Sequence, residues 1–165
     1  MKRALLGFIA APVFFFSSAT LAEPEYVTID MEIDVAKSAE ATWAAVGGYC
    51  DIAEWLNLDC TITSGDGGMG TVRSLVNGRI LEILVAETEL SYGYTQPAPA
   101  EGFYNLYHGF LEARPVTANS SKLIYTLLLD VSDKADQAAK DADVARRRAS
   151  FEKALATMKE IAESK

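Results

Sequence analysis

The fold is decided by the stretch that begins GTVRSLVNGRILEILVAET at residues 70–88. Successive side chains of a strand point to opposite faces, so ILEILV at residues 80–85 gives a strand with two largely apolar faces. The dipeptide Asn77-Gly78 is a strong signal for a β-hairpin turn between this strand and the one before it. The stretch therefore predicts two neighbouring antiparallel strands within a sheet.

Three more strands follow without an intervening helical pattern. They are SYGYTQ at residues 91–96, FYNLYHGFLEARPV at 103–116 and KLIYTLLLDV at 122–131, separated by the loops at 97–102 and 117–121. A sheet with apolar residues on both faces needs two coverings, one from a helix and the other from a further layer or a second copy of the chain.

The segment before residue 70 predicts two more strands and two short helices. YVTIDMEIDV at residues 26–35 alternates apolar and polar residues, which is typical of a half-buried strand. Ser38 is a suitable N-cap for a short helix that ends at Gly47-Gly48, and residues 51–55 favour a second helical turn. Residues 60–64 predict the next strand, which leads into GDGGMG.

The GDGGMG turn at residues 65–70 matches the GxGxxG pattern of dinucleotide-binding loops. That pattern works where a strand delivers the loop to the N-terminus of a helix, which holds the pyrophosphate. Here the turn is followed by another strand, so we interpret it as a hairpin turn.

The pattern becomes helical from Lys134 to Glu163. The run of arginines at 146–148 has acidic neighbours at helical spacing, which favours a solvated face over a polyanion site. One stripe of the predicted helix is apolar, formed by Val144, Phe151, Leu155, Met158 and Ala162.

The resulting order, β-α-α-β6-α, resembles the START-like superfamily, also called SRPBCC, which includes the polyketide cyclase and dehydrase family. Three segments are similar to the family pattern: the helix with Trp43, GTVRSLVNGRILEIL, and NLYHGFLEARPV. The resemblance implies an α+β helix-grip fold, in which a curved antiparallel sheet of about seven strands wraps around the C-terminal helix. It also implies that Glu82, Tyr107 and Tyr125 point inward, with the short helices and loops at the entrance of a cavity.

The first 22 residues predict a secretory signal, with Lys2 and Arg3 before an apolar run and small residues before a cleavage site after Ala22. Residues 23–165 then form a single domain, periplasmic or secreted, that contacts a membrane only if the signal stays uncleaved. The formal charge is −8 before this segment is removed and more negative afterwards, which argues against nucleic acid as a partner.

Two cysteines, Cys50 and Cys60, predict a disulfide in an oxidising compartment. Two cysteines and one distant histidine do not provide a recognisable zinc spacing, so no metal is expected. The motifs of the chain likewise give no reason to expect a cofactor.

Glu82 is the first candidate functional residue. Among apolar neighbours it would act as a general base or as an anchor for a ligand, or it would form a structural ion pair with Arg73 or Arg79. His108 is the second candidate. It faces away from the cavity if Tyr107 faces in, and joins Glu82 as an acid/base pair only if the strand slips by one residue.

A set of aromatic and apolar residues is predicted to line the cavity, although β propensity alone could place tyrosines in these strands. The set is Trp55, Tyr92, Tyr94, Asn105, Tyr107, Tyr125, Phe151 and Leu155.

Two main functions are consistent with these residues. The first is a periplasmic binding or carrier protein for a small hydrophobic ligand, aromatic or lipid-like, with Trp55 and the loop at 97–102 at the entrance. The alternative is a cofactor-free cyclase, lyase or dehydratase in which Glu82 moves a proton on a phenolic or polyketide-like substrate. A third hypothesis is an interaction protein that forms a homodimer through its apolar outer face at Leu81, Ile83, Leu106 and Phe110.

Overall fold

A computed structural model describes residues 23–97 and 106–165 of this chain. The predicted signal segment and most of the predicted entrance loop, residues 98–102, lie outside the described residues. The described elements are β1 (Tyr26–Val35), α1 (Ala39–Val46), α2 (Ile52–Trp55), β2 (Cys60–Ser64), β3 (Val72–Leu75), β4 (Ile80–Thr88), β5 (Ser91–Thr95), β6 (Tyr107–Thr117), β7 (Ser120–Asp130) and α3 (Gln137–Ser164).

The seven described strands form one antiparallel sheet in the order β1-β7-β6-β5-β4-β3-β2. From β2 to β7, each strand is hydrogen-bonded to the next strand in the sequence. β1 is the exception, because it pairs with β7, the last strand. The curved sheet and the long C-terminal helix confirm the predicted α+β helix-grip architecture. β1 and β2 are the two edges of the sheet.

Alternation of side chains places the core on the inner face of the sheet. In β1, Ile29 and Met31 are buried, and Met31 lies opposite Tyr125 of β7. Helix α3 packs over β1 and α1, and its buried residues include Phe151 and Leu155, as the apolar stripe predicted. The helix begins three residues later than Lys134, because the Asp136 side chain caps it by accepting a hydrogen bond from the Ala139 amide at 2.8 Å.

The β3–β4 turn confirms the hairpin predicted at Asn77-Gly78. Val76, Asn77 and Gly78 have φ values of 55°, 55° and 85°, the left-handed region that glycine and asparagine tolerate best. The carboxylate of Asp59 accepts a hydrogen bond from the Asn77 amide at 2.9 Å and so ties this turn to the segment before β2. The turn at residues 65–70 likewise joins β2 to β3, and no helix follows it.

The predicted disulfide is present between Cys50 and Cys60, whose Cα atoms are 5.6 Å apart. It joins the segment between α1 and α2 to the start of the edge strand β2. Across residues 23–97 and 106–165, every helix is either too short or too polar to span a membrane.

Candidate ligand-binding site

The centre of the site is a buried ion pair between Arg73 and Glu82. These residues lie directly opposite each other on β3 and β4, and both point to the inner face. Nε and Nη2 of Arg73 donate to Oε2 of Glu82 at 2.8 and 2.6 Å. The Arg73 residue is 0% exposed and Glu82 is 3% exposed. Of the alternatives for Glu82, the structure therefore shows the pair with Arg73.

The second carboxylate oxygen of Glu82 has a weaker contact. Oε1 accepts a hydrogen bond from Nε2 of Gln96 at 3.3 Å. Because Gln96 also lines a cleft that opens to solvent, this amide connects the buried carboxylate to the outside of the domain.

Tyrosine rings surround the cation of the pair. The guanidinium carbon of Arg73 is 4.1 Å from the ring centre of Tyr49, 4.8 Å from that of Tyr94 and 5.7 Å from that of Tyr92. These are cation–π distances, which stabilise a desolvated guanidinium. Nη1 of Arg73 donates a third hydrogen bond to the backbone carbonyl oxygen of Tyr49.

Burial controls the ionisation of these groups. Loss of hydration raises the pKa of Glu82 above its usual value, while the positive charge and hydrogen bonds of Arg73 act in the opposite direction. Burial likewise raises the pKa of Tyr107 to about 12. The pKa values of Tyr94 and Tyr125 are raised well above the ordinary value for the same reason, so both phenols are neutral hydrogen-bonding groups.

A second group of rings continues from Arg73 towards α3. The hydroxyls of Tyr94 and Tyr125 are hydrogen-bonded to each other at 2.8 Å, and the Tyr125 ring lies 4.5 Å from that of Phe151. Gly109 makes room for Tyr94, since a Cβ there would lie 2.3 Å from the tyrosine ring. The glycine on β6 therefore determines where the Tyr94 hydroxyl lies.

Three polar groups on the aromatic side chains of the interior lack a hydrogen-bond partner among the described residues. They are the hydroxyls of Tyr49 and Tyr92 and the indole Nε1 of Trp55; of these, the Tyr92 hydroxyl has a longer-range interaction with the guanidinium of Arg73. The great majority of buried polar side-chain atoms in proteins are hydrogen-bonded, so three exceptions in one interior need an explanation.

Two clefts adjoin the tyrosines at opposite ends of the strands. One, of about 160 Å³, is lined in part by Gln96, Tyr107 and Arg147. The other, of about 150 Å³, is lined in part by Tyr49 and Tyr92. The interior site therefore approaches the surface at both ends.

The remaining predicted site residues occupy different places. Trp55 is 3% exposed and its ring lies 6.1 Å from that of Tyr125, which is a core position, and it also lines an open cleft of about 290 Å³ between α2 and α3. Phe151 and Leu155 are buried on α3. Asn105 lies outside the described residues.

His108 points away from the interior. It shares the outer face of β6 with Phe110, and the two rings stack 6.3 Å apart. Tyr107 on the neighbouring position faces inward beside Tyr94, so the strand has the unslipped register. The structure therefore does not bring His108 and Glu82 together as an acid/base pair.

Sequence reasoning missed three residues of the site. Tyr49 and Gln96 lie outside the regular strands, where alternation gives no direction for a side chain. Arg147 was interpreted as part of a solvated face, but only 25% of its side chain is exposed. Its guanidinium lies 5.2 Å from the centre of the Tyr107 ring. The spacing from Asp143, with which it pairs at 2.8 Å, led to the solvated interpretation.

In the part of the chain that the structure describes, histidine, cysteine and carboxylate side chains form no group of three that could hold a metal ion. The polar chemistry of the site is that of one ion pair, several phenols and one amide. This arrangement can donate hydrogen bonds to a ligand and can surround a flat apolar body with rings.

Comparisons with known proteins identify the fold that positions these residues. No protein-family model matches the sequence, and no curated protein matches it significantly. A solved structure from Thermobifida fusca has a TM-score of 0.68 at 21% identity, over 83% of this chain and 93% of that chain. Norcoclaurine synthase from Thalictrum flavum, in complex with dopamine and hydroxybenzaldehyde, has a TM-score of 0.59 at 18% identity, over 94% and 99%. The Zhui aromatase/cyclase from a Streptomyces species has a TM-score of 0.61 at 17% identity, over 84% and 94%. The chain has the same helix-grip fold as these structures.

Proposed function

We propose that the protein binds or carries a small, largely apolar ligand, aromatic or lipid-like, in the interior between the sheet and α3. The supporting observation is the set of three buried polar groups without partners, at Tyr49, Tyr92 and Trp55. Leaving a buried donor unsatisfied costs about 1–3 kcal/mol. A ligand with oxygen acceptors would remove this penalty while its apolar body contacts the surrounding rings.

The ring geometry supports an aromatic ligand. Phenol and indole side chains combine flat apolar surfaces with polar tips, and they pack well against other rings. Norcoclaurine synthase, which has the same fold, was solved with dopamine and hydroxybenzaldehyde. Small phenolic compounds are therefore the first ligands to test.

We place the entry of the ligand at the cleft near Tyr107 and Arg147. Arg147 lies over the Tyr107 ring, and Gln96 extends from the same cleft to the carboxylate of Glu82. Movement of the Arg147 side chain would uncover the rings without breaking the hydrogen bonds of the sheet.

The proposed location of the protein is the periplasm or the exterior of the cell. The Cys50–Cys60 disulfide is compatible with an oxidising compartment. The apolar segment at residues 1–22 supports export by the pattern of its sequence.

The enzyme alternative, a cyclase, lyase or dehydratase, rests on Glu82. Its raised pKa is suited to proton transfer at moderate pH. However, two donors of Arg73 occupy Oε2, so a proton would have to move through Oε1, beside Gln96. A carrier with Glu82→Gln should still bind its ligand with altered affinity, whereas an enzyme should keep binding and lose most of its rate.

The experiment is native mass spectrometry of the mature protein purified from its own cell envelope, followed by denaturing extraction. We expect one retained apolar compound of defined mass per chain, and its loss or replacement when Tyr92→Phe and Tyr94→Phe alter the interior. Tyr26→Phe is the matched control, since Tyr26 is 58% exposed. An empty protein whose melting temperature is unchanged by phenolic and lipid-like compounds would refute the proposal.

The outer face of the sheet supports a second proposal, a homodimer. Leu81, Val85 and Phe110 are 42%, 43% and 41% exposed, which is high for large apolar side chains on one sheet. Phe110→Asp should convert the dimer to a monomer in analytical ultracentrifugation and leave ligand retention unchanged. A wild-type protein that is already monomeric at high concentration would rule the dimer out.

A further inference from the structure

Tyr49 contacts Arg73 in two ways at once. Its ring lies 4.1 Å from the guanidinium carbon, and its backbone carbonyl accepts the hydrogen bond from Nη1. The other two hydrogen bonds of Arg73 go to Glu82. Tyr49 lies outside the sheet and thus accepts one of the three hydrogen bonds that the fully buried Arg73 guanidinium donates.

The segment that contains Tyr49 has a small number of other contacts. The Gly48 amide donates a hydrogen bond to the Asp51 carboxylate at 2.7 Å, and the Tyr49 ring lies 5.5 Å from that of Tyr92. Tyr49 itself is only half-buried. The next residue, Cys50, is bonded to Cys60.

The partner cysteine begins the strand that flanks Arg73 on the other side. Cys60 is the first residue of the edge strand β2, and the four residues after it are exposed. Within β2, Ile62 lies directly opposite Arg73. The disulfide therefore joins the half-buried Tyr49 segment to the exposed strand β2, and both contact or flank the residue that pairs with Glu82.

We infer that Tyr49 is a positioning residue of the Arg73–Glu82 site and that the Cys50–Cys60 disulfide holds it against Arg73. With the disulfide intact, the Tyr49 carbonyl and ring fix the guanidinium in one orientation. With it broken, Tyr49 loses its covalent link to β2 and shifts relative to Arg73, which weakens the hydrogen bond to the Tyr49 carbonyl and the contact with its ring. If the proposed ligand site is correct, ligand affinity then depends on the disulfide.

A dithiol reductant in solution would reduce the Cys50–Cys60 disulfide. Both cysteines are partly exposed, so a thiolate can reach the bond. The S–S bond breaks and accepts two electrons and two protons to give two thiols. The dithiol loses the same two electrons and protons and becomes a disulfide.

The competing explanation is that the disulfide only stabilises the fold. α2 has its own anchors, because Ile52 and Trp55 are 2% and 3% exposed. If these two side chains alone hold the segment, Tyr49 stays in place after the disulfide is broken. The two explanations differ in what they predict for the Arg73 side chain.

The test is hydrogen exchange of the Arg73 Nε–H, followed by NMR in protein with labelled arginine. We expect exchange to become about ten-fold faster, equivalent to about 1.4 kcal/mol, in the reduced protein and in the Cys50→Ser/Cys60→Ser variant. Tyr49→Phe is the matched control, because it keeps the ring, the carbonyl and the disulfide, and its exchange should stay slow. If the double variant does not fold, reduction of the folded wild type gives the same comparison.

A second measurement separates this inference from the proposed function. Affinity for hydroxybenzaldehyde should fall about ten-fold on reduction, in parallel with the change at Arg73. Faster exchange without any measurable binding would support the role of Tyr49 and count against the ligand proposal. Unchanged exchange at Arg73 in a folded, reduced protein would overturn the inference.

Discussion

Replacing Arg73 by methionine should reveal how strongly the fold depends on the buried ion pair. Arg73→Met keeps a long apolar side chain but leaves Glu82 without its cation and without two hydrogen bonds at 2.8 and 2.6 Å. Removing one partner of a buried pair costs about 3–5 kcal/mol, because the remaining charge is left in an apolar interior. We therefore expect a loss of this size in the free energy of unfolding near neutral pH.

The loss should depend on pH, with a sign fixed by the pKa of Glu82. Burial raises this pKa above the usual 4.5 even with Arg73 present, and Arg73 is the group that opposes the increase. Without Arg73 the pKa rises further, so the folded protein retains a proton that the unfolded chain has lost. Stability then falls as pH rises from about 4.5 to the folded pKa, by about 1.36 kcal/mol per pH unit.

The assay is urea unfolding at about pH 5 and about pH 8. The stability deficit of Arg73→Met relative to the wild type should be larger at the higher pH, because loss of Arg73 raises the Glu82 pKa further than burial does in the wild type. The control is the double variant Arg73→Met/Glu82→Gln, which has no carboxyl at this position to titrate, so its stability deficit relative to Glu82→Gln should be independent of pH. Glu82→Gln alone should gain stability relative to the wild type as pH rises. An Arg73→Met deficit that is equal at both pH values, or larger at pH 5, would refute the reasoning.

Two further outcomes are expected. Gly109→Ala should destabilise the protein by about 1–3 kcal/mol, because its Cβ would lie 2.3 Å from the Tyr94 ring, and urea unfolding measures this. Gly93→Ala is the control on the neighbouring strand, where an exposed ring on the outer face can turn aside, and its effect should be within about 0.5 kcal/mol; equal losses would contradict the packing argument. Arg147→Gln should speed the uptake of phenolic ligands in stopped-flow fluorescence, whereas Arg146→Gln, which is more exposed, should not.

The strands and the long helix could be predicted from the sequence because alternation and helical spacing are strong signals, while the helix-grip arrangement was predicted from the resemblance to a known family. Ile29 and Met31 are buried as the pattern at residues 26–35 predicts, and the apolar stripe of α3 faces the sheet. Both signals depend only on the period of side chains along an element, so they survive without knowledge of distant contacts. The positions of the disulfide and of the two turns also followed from local chemistry.

The partner of Glu82 could have been predicted from the hairpin. A turn centred on Asn77-Gly78 places residues at equal distances on either side opposite each other, which sets Arg73 against Glu82. Arg79 was an open alternative only because that register was not used. Tyr49 is different, since it lies in an irregular segment and contacts Arg73 through a backbone carbonyl that every residue possesses.

The pairing of β1 with β7 has a consequence for how the chain folds. Residues Tyr26–Val35 can form their hydrogen bonds only after the chain through Asp130 is available, so this edge of the sheet depends on very distant contacts. Such contacts slow folding, and the apolar side of an early strand is exposed in the meantime. The opposite side of β1 carries Asp30, Glu32 and Asp34, and charged residues on an edge discourage pairing between chains. These acidic side chains thus reduce pairing of β1 with other chains before β7 is available.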